Sequence, residues 1–299
     1  MIKSAQPLTP NQIRKIYQKK SIRGIPSARS QQGLSQMRSR LALSIAVLFQ
    51  LTWFLVAAPL ATDKGGRAVP DKSAATPIRS PRFHFGRLRY RGGVPGYIKN
   101  WYTDYPNMDT HLSRLMQRLT NIDVGGPAVV DLADPDIFNY PLIYTVEPEQ
   151  MVLSQGDAEI LREYLARGGM WFADDFHGDY EFDQFVAQIN RVIPHAKIVE
   201  LDTAHPLFHA AYDIDTIVQV TNDAIAECPE CDQWENGPSG KIPKVFAVHD
   251  DRGRIIILMA WNTDLGDGLE WADDPAYPAY YSSYAFKFVT NLIVYTMTH

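Results

Sequence analysis

The feature that most limits the fold is a stretch of thirteen residues, Arg167-Gly168-Gly169-Met170-Trp171-Phe172-Ala173-Asp174-Asp175-Phe176-His177-Gly178-Asp179. Upstream, Ser154 with Asp157 three residues on has the form of a capping box. Ala158, Leu161 and Leu165, with Ile160 and Tyr164, then recur at helical spacing. Gly168 stands where a helix ends on a left-handed residue. Met170 to Ala173 is an apolar run without alternation, as expected of a strand buried on both faces. Beyond the loop, Phe182, Phe185, Val186, Ile189 and Ile193 return to one helical face, and Pro194 closes that helix. Helix, buried strand, acidic loop and helix make the repeating unit of an α/β sheet. The unit sets Asp174, Asp175 and His177 just past the carboxyl end of a strand, where ligands bind in open α/β sheets.

The flanking sequence continues the alternation. Phe83, Phe85, Leu88 and Tyr90 predict a strand, Arg91 to Gly96 a turn-rich loop, and Met108 to Leu119 a helix with Leu112, Leu115, Met116 and Leu119 on one face. Ile122–Val124, Ala128–Val130 and Leu142–Val146 are strand candidates, followed by Lys197–Leu201 and an extended run from Ile214 to Val220. Lys244–His249 and Arg254–Trp261 read as a hairpin around Asp250-Asp251-Arg252-Gly253. A last helix is expected from about Tyr280 to Thr296, with Ala285, Phe288, Val289, Leu292 and Ile293 on its apolar face. The class is therefore α/β, with a mostly parallel sheet flanked by helices.

The N-terminal part has a different character. Residues 1–40 hold nine Lys or Arg and no acidic residue, and Leu41 to Leu60 is an apolar run long enough to cross a bilayer. Arg38 and Arg40 abut its start, which by the positive-inside rule puts the N-terminus in the cytoplasm and the remainder in the periplasm. Pro59 disturbs the small-residue cleavage frames at Ala57, Ala58 and Ala61, so the run reads as a retained anchor of the inner membrane, not a cleaved signal. The expected organisation is a basic tail (1–40), a transmembrane helix (41–61), a flexible linker (62–82) and one α/β domain (83–299). The chain carries 29 basic and 34 acidic residues; without the nine basic residues of the tail the balance is 20 against 34, a net of −14. That argues against nucleic acid as a partner of the folded part.

Four groups of residues carry chemistry. Asp174, Asp175, His177 and Asp179 combine oxygen and nitrogen ligands suited to a divalent cation, or an Asp–His acid/base pair; the structural alternative is a polar loop capping the next helix. Asn262-Thr263-Asp264-Leu265-Gly266-Asp267-Gly268-Leu269-Glu270-Trp271 follows the strand ending at Trp261, with acidic residues alternating with glycines. It is either a second half of the same site or an Asx-rich turn, and it lacks EF-hand spacing. Cys228-Pro229-Glu230-Cys231 reads as a local disulfide in an oxidising compartment. Trp101, Tyr102 and Tyr105 around Asp104 read as packing aromatics with polar tips, or as a stacking platform.

Several spaced segments together resemble one family. They are Phe85 to Tyr90, Trp101 to Pro106, Tyr140 to Tyr144, Arg167-Gly168-Gly169 with Asp174-Asp175, and Asn262 to Asp267. In that order they are similar to the domain of unknown function DUF4159, over most of residues 83–299. The resemblance implies a flavodoxin-like fold related to class I glutamine amidotransferase domains, in bacterial membrane or periplasmic settings, and no established activity. Amidotransferase domains carry a nucleophilic cysteine at the turn where this chain has Asp174-Asp175, so glutaminase chemistry does not carry over. The reading that results is a membrane-tethered, non-catalytic binding or assembly module, with the membrane at 41–61 and a protein as candidate partners and a divalent cation as the candidate cofactor. The alternative is a metal-dependent hydrolase built on the Asp174/Asp175/His177 loop.

Overall fold

The computed structural model describes residues 82–92 and 100–299. The tail 1–40, the apolar run 41–61 and the linker up to residue 81 lie outside the described residues. Among the described residues, no helix is long and apolar enough to cross a membrane.

Seven strands form one sheet: β1 (Gly86–Arg89), β2 (Ala128–Asp131), β3 (Leu142–Val146), β4 (Met170–Asp174), β5 (Ile198–Leu201), β6 (Lys244–His249) and β7 (Ile255–Trp261). Their order across the sheet is β2-β1-β3-β4-β7-β6-β5. From β2 to β7 every pairing is parallel, β6 pairs antiparallel with both β7 and β5, and β6 alone therefore opposes the rest. The sheet is mostly parallel, as the alternation of elements predicts.

The longer helices are α1 (Asn107–Leu119), α2 (Gln155–Ala166), α3 (Gly178–Val192) and α6 (Ala279–Thr298); α4 (Asp223–Ala226) and α5 (Leu265–Glu270) are short. The period-two geometry of the strands divides the apolar residues between two cores. Leu142, Tyr144, Met170, Phe172, Leu258 and Ala260 pack against Leu112 and Met116 of α1, Leu265 and Leu269 of α5 and Phe288 and Leu292 of α6. Ile143, Trp171, Ala173, Ile257 and Met259 face the other way, onto Ala158, Leu161 and Leu165 of α2 and Phe185, Ile189 and Val192 of α3. Both faces of the central strands are thus covered, which is why β4 has no polar alternation. Trp171 is fully buried, sets its ring edge-on to Phe185 at 5.2 Å and donates from Nε1 to Thr145 Oγ1 at 2.8 Å. Truncating such an aromatic to Ala costs about 3–5 kcal/mol.

The boundaries of α2 follow the expected signals. Ser154 accepts from Asp157 N, Asp157 returns a bond to Ser154 N at 2.9 Å, and Gly168 takes φ +108° just past the helix end. Three expectations fail. Residues 122–124 form no strand, and only Val124 makes an isolated bridge, to Phe83. Ile214–Val220 joins no strand, because its polar backbone is satisfied elsewhere. Val220 N donates to Thr263 Oγ1 and Val220 O accepts from Asp264 N, so the run braces the loop after β7. Residues 265–270, read as part of an Asx-rich turn, form α5 despite Gly266 and Gly268.

Candidate metal centre

Four loops meet at the carboxyl ends of adjacent parallel strands. Asp104 arrives from the segment leading into α1, Glu147 follows β3, Asp174 and Asp175 end β4, and Asn262 and Asp264 follow β7. At this rim Asp104 (φ +63°), Glu147 (+46°), Asp175 (+56°) and Asn262 (+61°) all take left-handed backbone. Asp and Asn tolerate that region better than most residues, at about 1–2 kcal/mol each. Each kink turns the chain sharply off its strand and back over the sheet edge.

The β4 and β7 loops cap each other's helices. Asp174 Oδ2 accepts from Leu265 N at 2.9 Å and Gly266 N at 3.2 Å, the first turn of α5. Asn262 Oδ1 accepts from Gly178 N at 2.8 Å, the first residue of α3. Main-chain bonds from Asp175 N to Thr263 O (3.1 Å) and from Asn262 N to Phe176 O (3.0 Å) tie the loops together. Asn262 Nδ2 donates to Ser239 O and Ile242 O, so this amide is fully engaged. Asp264 Oδ1 accepts from Asp267 N at 2.7 Å as the side-chain cap of α5, and Asp267 Oδ2 accepts from Asp223 N at 2.8 Å.

These constraints gather carboxylates. One oxygen from each of Asp104, Asp175 and Asp264 lies within 4.8 Å of the others, and all three residues are buried. Asp104, Asp267 and Glu270 form a second such group, and Asp175, His177 and Glu235 a third. Oδ2 of Asp104 is buried without a hydrogen-bond partner. It approaches the main chain of Gly266 so closely that a Cβ there would stand 2.1 Å from it. Burial pushes the Asp104 carboxyl well above the carboxylate range, and Asp267, Asp175 and Glu270 push it further. Asp264 is raised for the same reasons, by burial and then by Asp175, Asp267 and Asp104. Burial lifts Asp174 to about 7; the Tyr144 hydroxyl opposes the shift and Asp175 adds to it. Burial would lower His177, but Glu235 and Asp175 outweigh it and hold the imidazole at about 9, with Nε2 3.3 Å from Asp175 Oδ1 and 4.0 Å from Glu235 Oε1.

One cation is built in beneath the cluster. The Arg87 guanidinium is fully buried, pairs with Asp109 Oδ2 (2.7 Å from Nη2, 2.9 Å from Nε) and stacks over the Tyr144 ring at 4.8 Å. Its Nη1 donates to Thr103 O at 2.9 Å and Trp101 O at 3.3 Å, fixing the segment that carries Asp104. Burial disfavours its charge, but Asp109 and the other acidic groups more than restore it.

The residues singled out from sequence fall into three sets. Asp175, Asp264 and Asp267 join the cluster, with His177 on its flank, while Asp174 and Asn262 are caps that hold the loops in place. Asp179 stands apart: it is exposed in the first turn of α3, and its main-chain N donates to Ser239 Oγ. Cys228 and Cys231 are joined by a disulfide across a surface loop. Glu235 and Arg87 belong to none of the groups singled out from sequence, and Glu270 lies within the acidic stretch after β7 without being marked there as a ligand. In the sequence Asp104 reads only as the polar member of an aromatic group, within which Trp101 does pack on Tyr102 and Tyr105. A separate cleft of about 750 Å³, among Arg89, Trp101, Asp131 and Asp157 at the ends of β1 and β2, includes none of the clustered carboxylates.

Fold and rim define a three-layer α/β domain whose strand ends present clustered acids and no nucleophilic cysteine. Residues 84–297 match the profile of DUF4159, a domain of unknown function, and the chain belongs to that family. No curated protein matches it.

Proposed function

We propose that this protein is a membrane-tethered, periplasm-facing binding module whose rim holds a divalent cation, with calcium the ion of best fit. One observation carries the cation: Asp104, Asp175 and Asp264 bring buried oxygens within 4.8 Å of one another, and one of those residues keeps an oxygen without a donor. Carboxylates buried this way repel each other unless protonated or bridged by positive charge. Calcium takes oxygen ligands at about 2.3–2.6 Å, so two of its ligands stand at most about 5 Å apart. The three aspartates already lie within that span. Magnesium, at about 2.0–2.1 Å, spans at most about 4.2 Å, demands a near-ideal octahedron and usually keeps several waters, which an all-carboxylate buried set suits less well.

The tether rests on the nine basic residues of 1–40 beside the apolar run 41–61. The Cys228–Cys231 disulfide suits an oxidising compartment. The flavodoxin-like reading is supported by the strand order 2-1-3-4 at the start of the sheet, with β7 where the fifth strand of that fold would stand. The absence of a cysteine at the β4 turn favours binding over glutaminase chemistry. A second reading, a metal-dependent hydrolase, is favoured by His177, because a cation on Asp175 would set its water shell beside an imidazole.

The test is calorimetry and thermal melting of the purified protein in EDTA and then in calcium. At 100 times Kd, binding adds about 2.7 kcal/mol, or roughly 5–10 °C for a domain of this size, and Asp175→Asn removes the gain. Failure to bind any divalent cation better than millimolar overturns the reading. An alkaline phosphatase fused to the C-terminus should be active; an inactive, cytoplasmic fusion overturns the topology. Hydrolysis of a generic ester that depends on both calcium and His177 would favour the second reading.

A further inference from the structure

We infer that the rim is built for two divalent cations bridged by the carboxylate of Asp104, one shared with Asp175 and Asp264 and the other with Asp267 and Glu270. The inference rests on the cation reading above and goes beyond it in number and in the division of ligands. Asp104 is the vertex common to both groups, each with its oxygens within 4.8 Å. Its Oδ2 is buried and has no hydrogen-bond donor. The carboxylate is held by its own left-handed backbone, by the grip of Arg87 on Thr103 O, and by the bare Cα of Gly266 against which Oδ2 rests. A carboxylate fixed at the junction of two acidic groups is the usual bridging element of paired-cation centres, whose ions stand about 3.5–4 Å apart.

Charge decides between one ion and two. The two groups comprise five carboxylates: Asp104, Asp175, Asp264, Asp267 and Glu270. With all five ionised as ligands, a single divalent cation leaves three of those negative charges in a largely buried setting, and a second leaves one. Arg87 is already committed to Asp109. The third group, Asp175, His177 and Glu235, does not take the second ion, because the His177 ring nitrogen already stands between its two carboxylates. The two ions differ in setting. Asp175 and Asp264 are buried, whereas Glu270 is only half-buried, so the second ion sits toward solvent and is the weaker and more exchangeable one.

The experiment titrates the purified full chain with Mn²⁺ alone, reading stoichiometry by equilibrium dialysis and the electron paramagnetic resonance spectrum of the bound ions. The expected result is two Mn²⁺ per chain, with the spectrum of a spin-coupled pair. Glu270→Gln should lower this to one ion per chain with an uncoupled spectrum, weaken the second ion at least tenfold, and leave the melting temperature in EDTA unchanged. One ion per wild-type chain refutes the pair but leaves the single-cation reading intact; no binding refutes both. Two ions that persist in Glu270→Gln, or two that show no coupling, refute the bridging assignment.

Discussion

Asp174 is the residue whose replacement tests the rim most directly, because its carboxylate reaches across from β4 to hold the first turn of α5. Removing it in Asp174→Ala leaves the N–H groups of Leu265 and Gly266 without their acceptor in a buried site. Each orphaned donor costs about 1–3 kcal/mol. The expected loss is therefore about 3–5 kcal/mol, measured by urea denaturation in EDTA with the fully buried Trp171 as fluorescent reporter. Asp174→Asn keeps an acceptor oxygen and should stay within about 1 kcal/mol of wild type near pH 4, the lower edge of the range in which the folded carboxyl is protonated and the unfolded one is not. The two variants separate further with pH. The folded-state pKa is raised from 3.8 to about 7, so the stabilising contribution of the group is complete below about pH 4 and is lost as pH rises through 7. Over that window wild type should lose up to roughly 1.4 kcal/mol per pH unit from this group, and Asp174→Asn should be flatter by that amount. A loss below about 1 kcal/mol in Asp174→Ala, or equal losses in the two variants, would refute the capping role.

Other outcomes follow from the same geometry. Asn262→Ala removes the acceptor for Gly178 N and both donors to Ser239 O and Ile242 O, and should cost about 3–5 kcal/mol, read as a fall of roughly 10 °C in melting temperature. Gly266→Ala places a methyl 2.1 Å from Asp104 Oδ2 and should weaken calcium at least tenfold by calorimetry, roughly 1.4 kcal/mol. His205 accepts from Leu207 N through Nδ1, and burial, with His249 beside it, pushes its pKa below 6.5. Below that pH the unfolded chain takes up the proton first, so stability should fall as pH drops from about 6.5. His205→Asn keeps an acceptor and should flatten that part of the urea-midpoint profile.

The layout of the fold was largely legible because its signals are local. The Ser154–Asp157 box, Gly168 and the unbroken apolar run at Met170 each write an element boundary into a few adjacent residues. The convergence of the Asp174 and Asp264 turns could be anticipated for a different reason. Both follow parallel strands, and parallel strands end on the same edge. What escaped was non-local. Asp104 lies 71 residues before Asp175, and nothing in Tyr-Thr-Asp-Tyr-Pro marks it as a ligand; its place depends on Arg87 gripping Thr103 O. The division of labour within Asp174-Asp175 was equally hidden, since one carboxylate turns to α5 and its neighbour to the cluster. Helix α5 escaped because Gly266 and Gly268 weigh against helix by propensity. The signal that would have found it was Asp264 with Asp267 three residues on, a cap that the structure closes at 2.7 Å. The Ile214–Val220 run has strand composition, but composition does not say that Thr263 and Asp264 claim its backbone groups.

The exchange of caps between the two loops makes the rim an all-or-none object. Asp174 steadies a helix that begins 91 residues later, and Asn262 steadies one that began 84 residues before. A nascent chain that has made β4 but not β7 therefore has neither half of the cluster in working shape, only an uncapped α3 and an aspartate with nothing to hold. Affinity for a cation would arise abruptly, when the C-terminal hairpin docks, and a chain truncated before that hairpin should have no partial version of it.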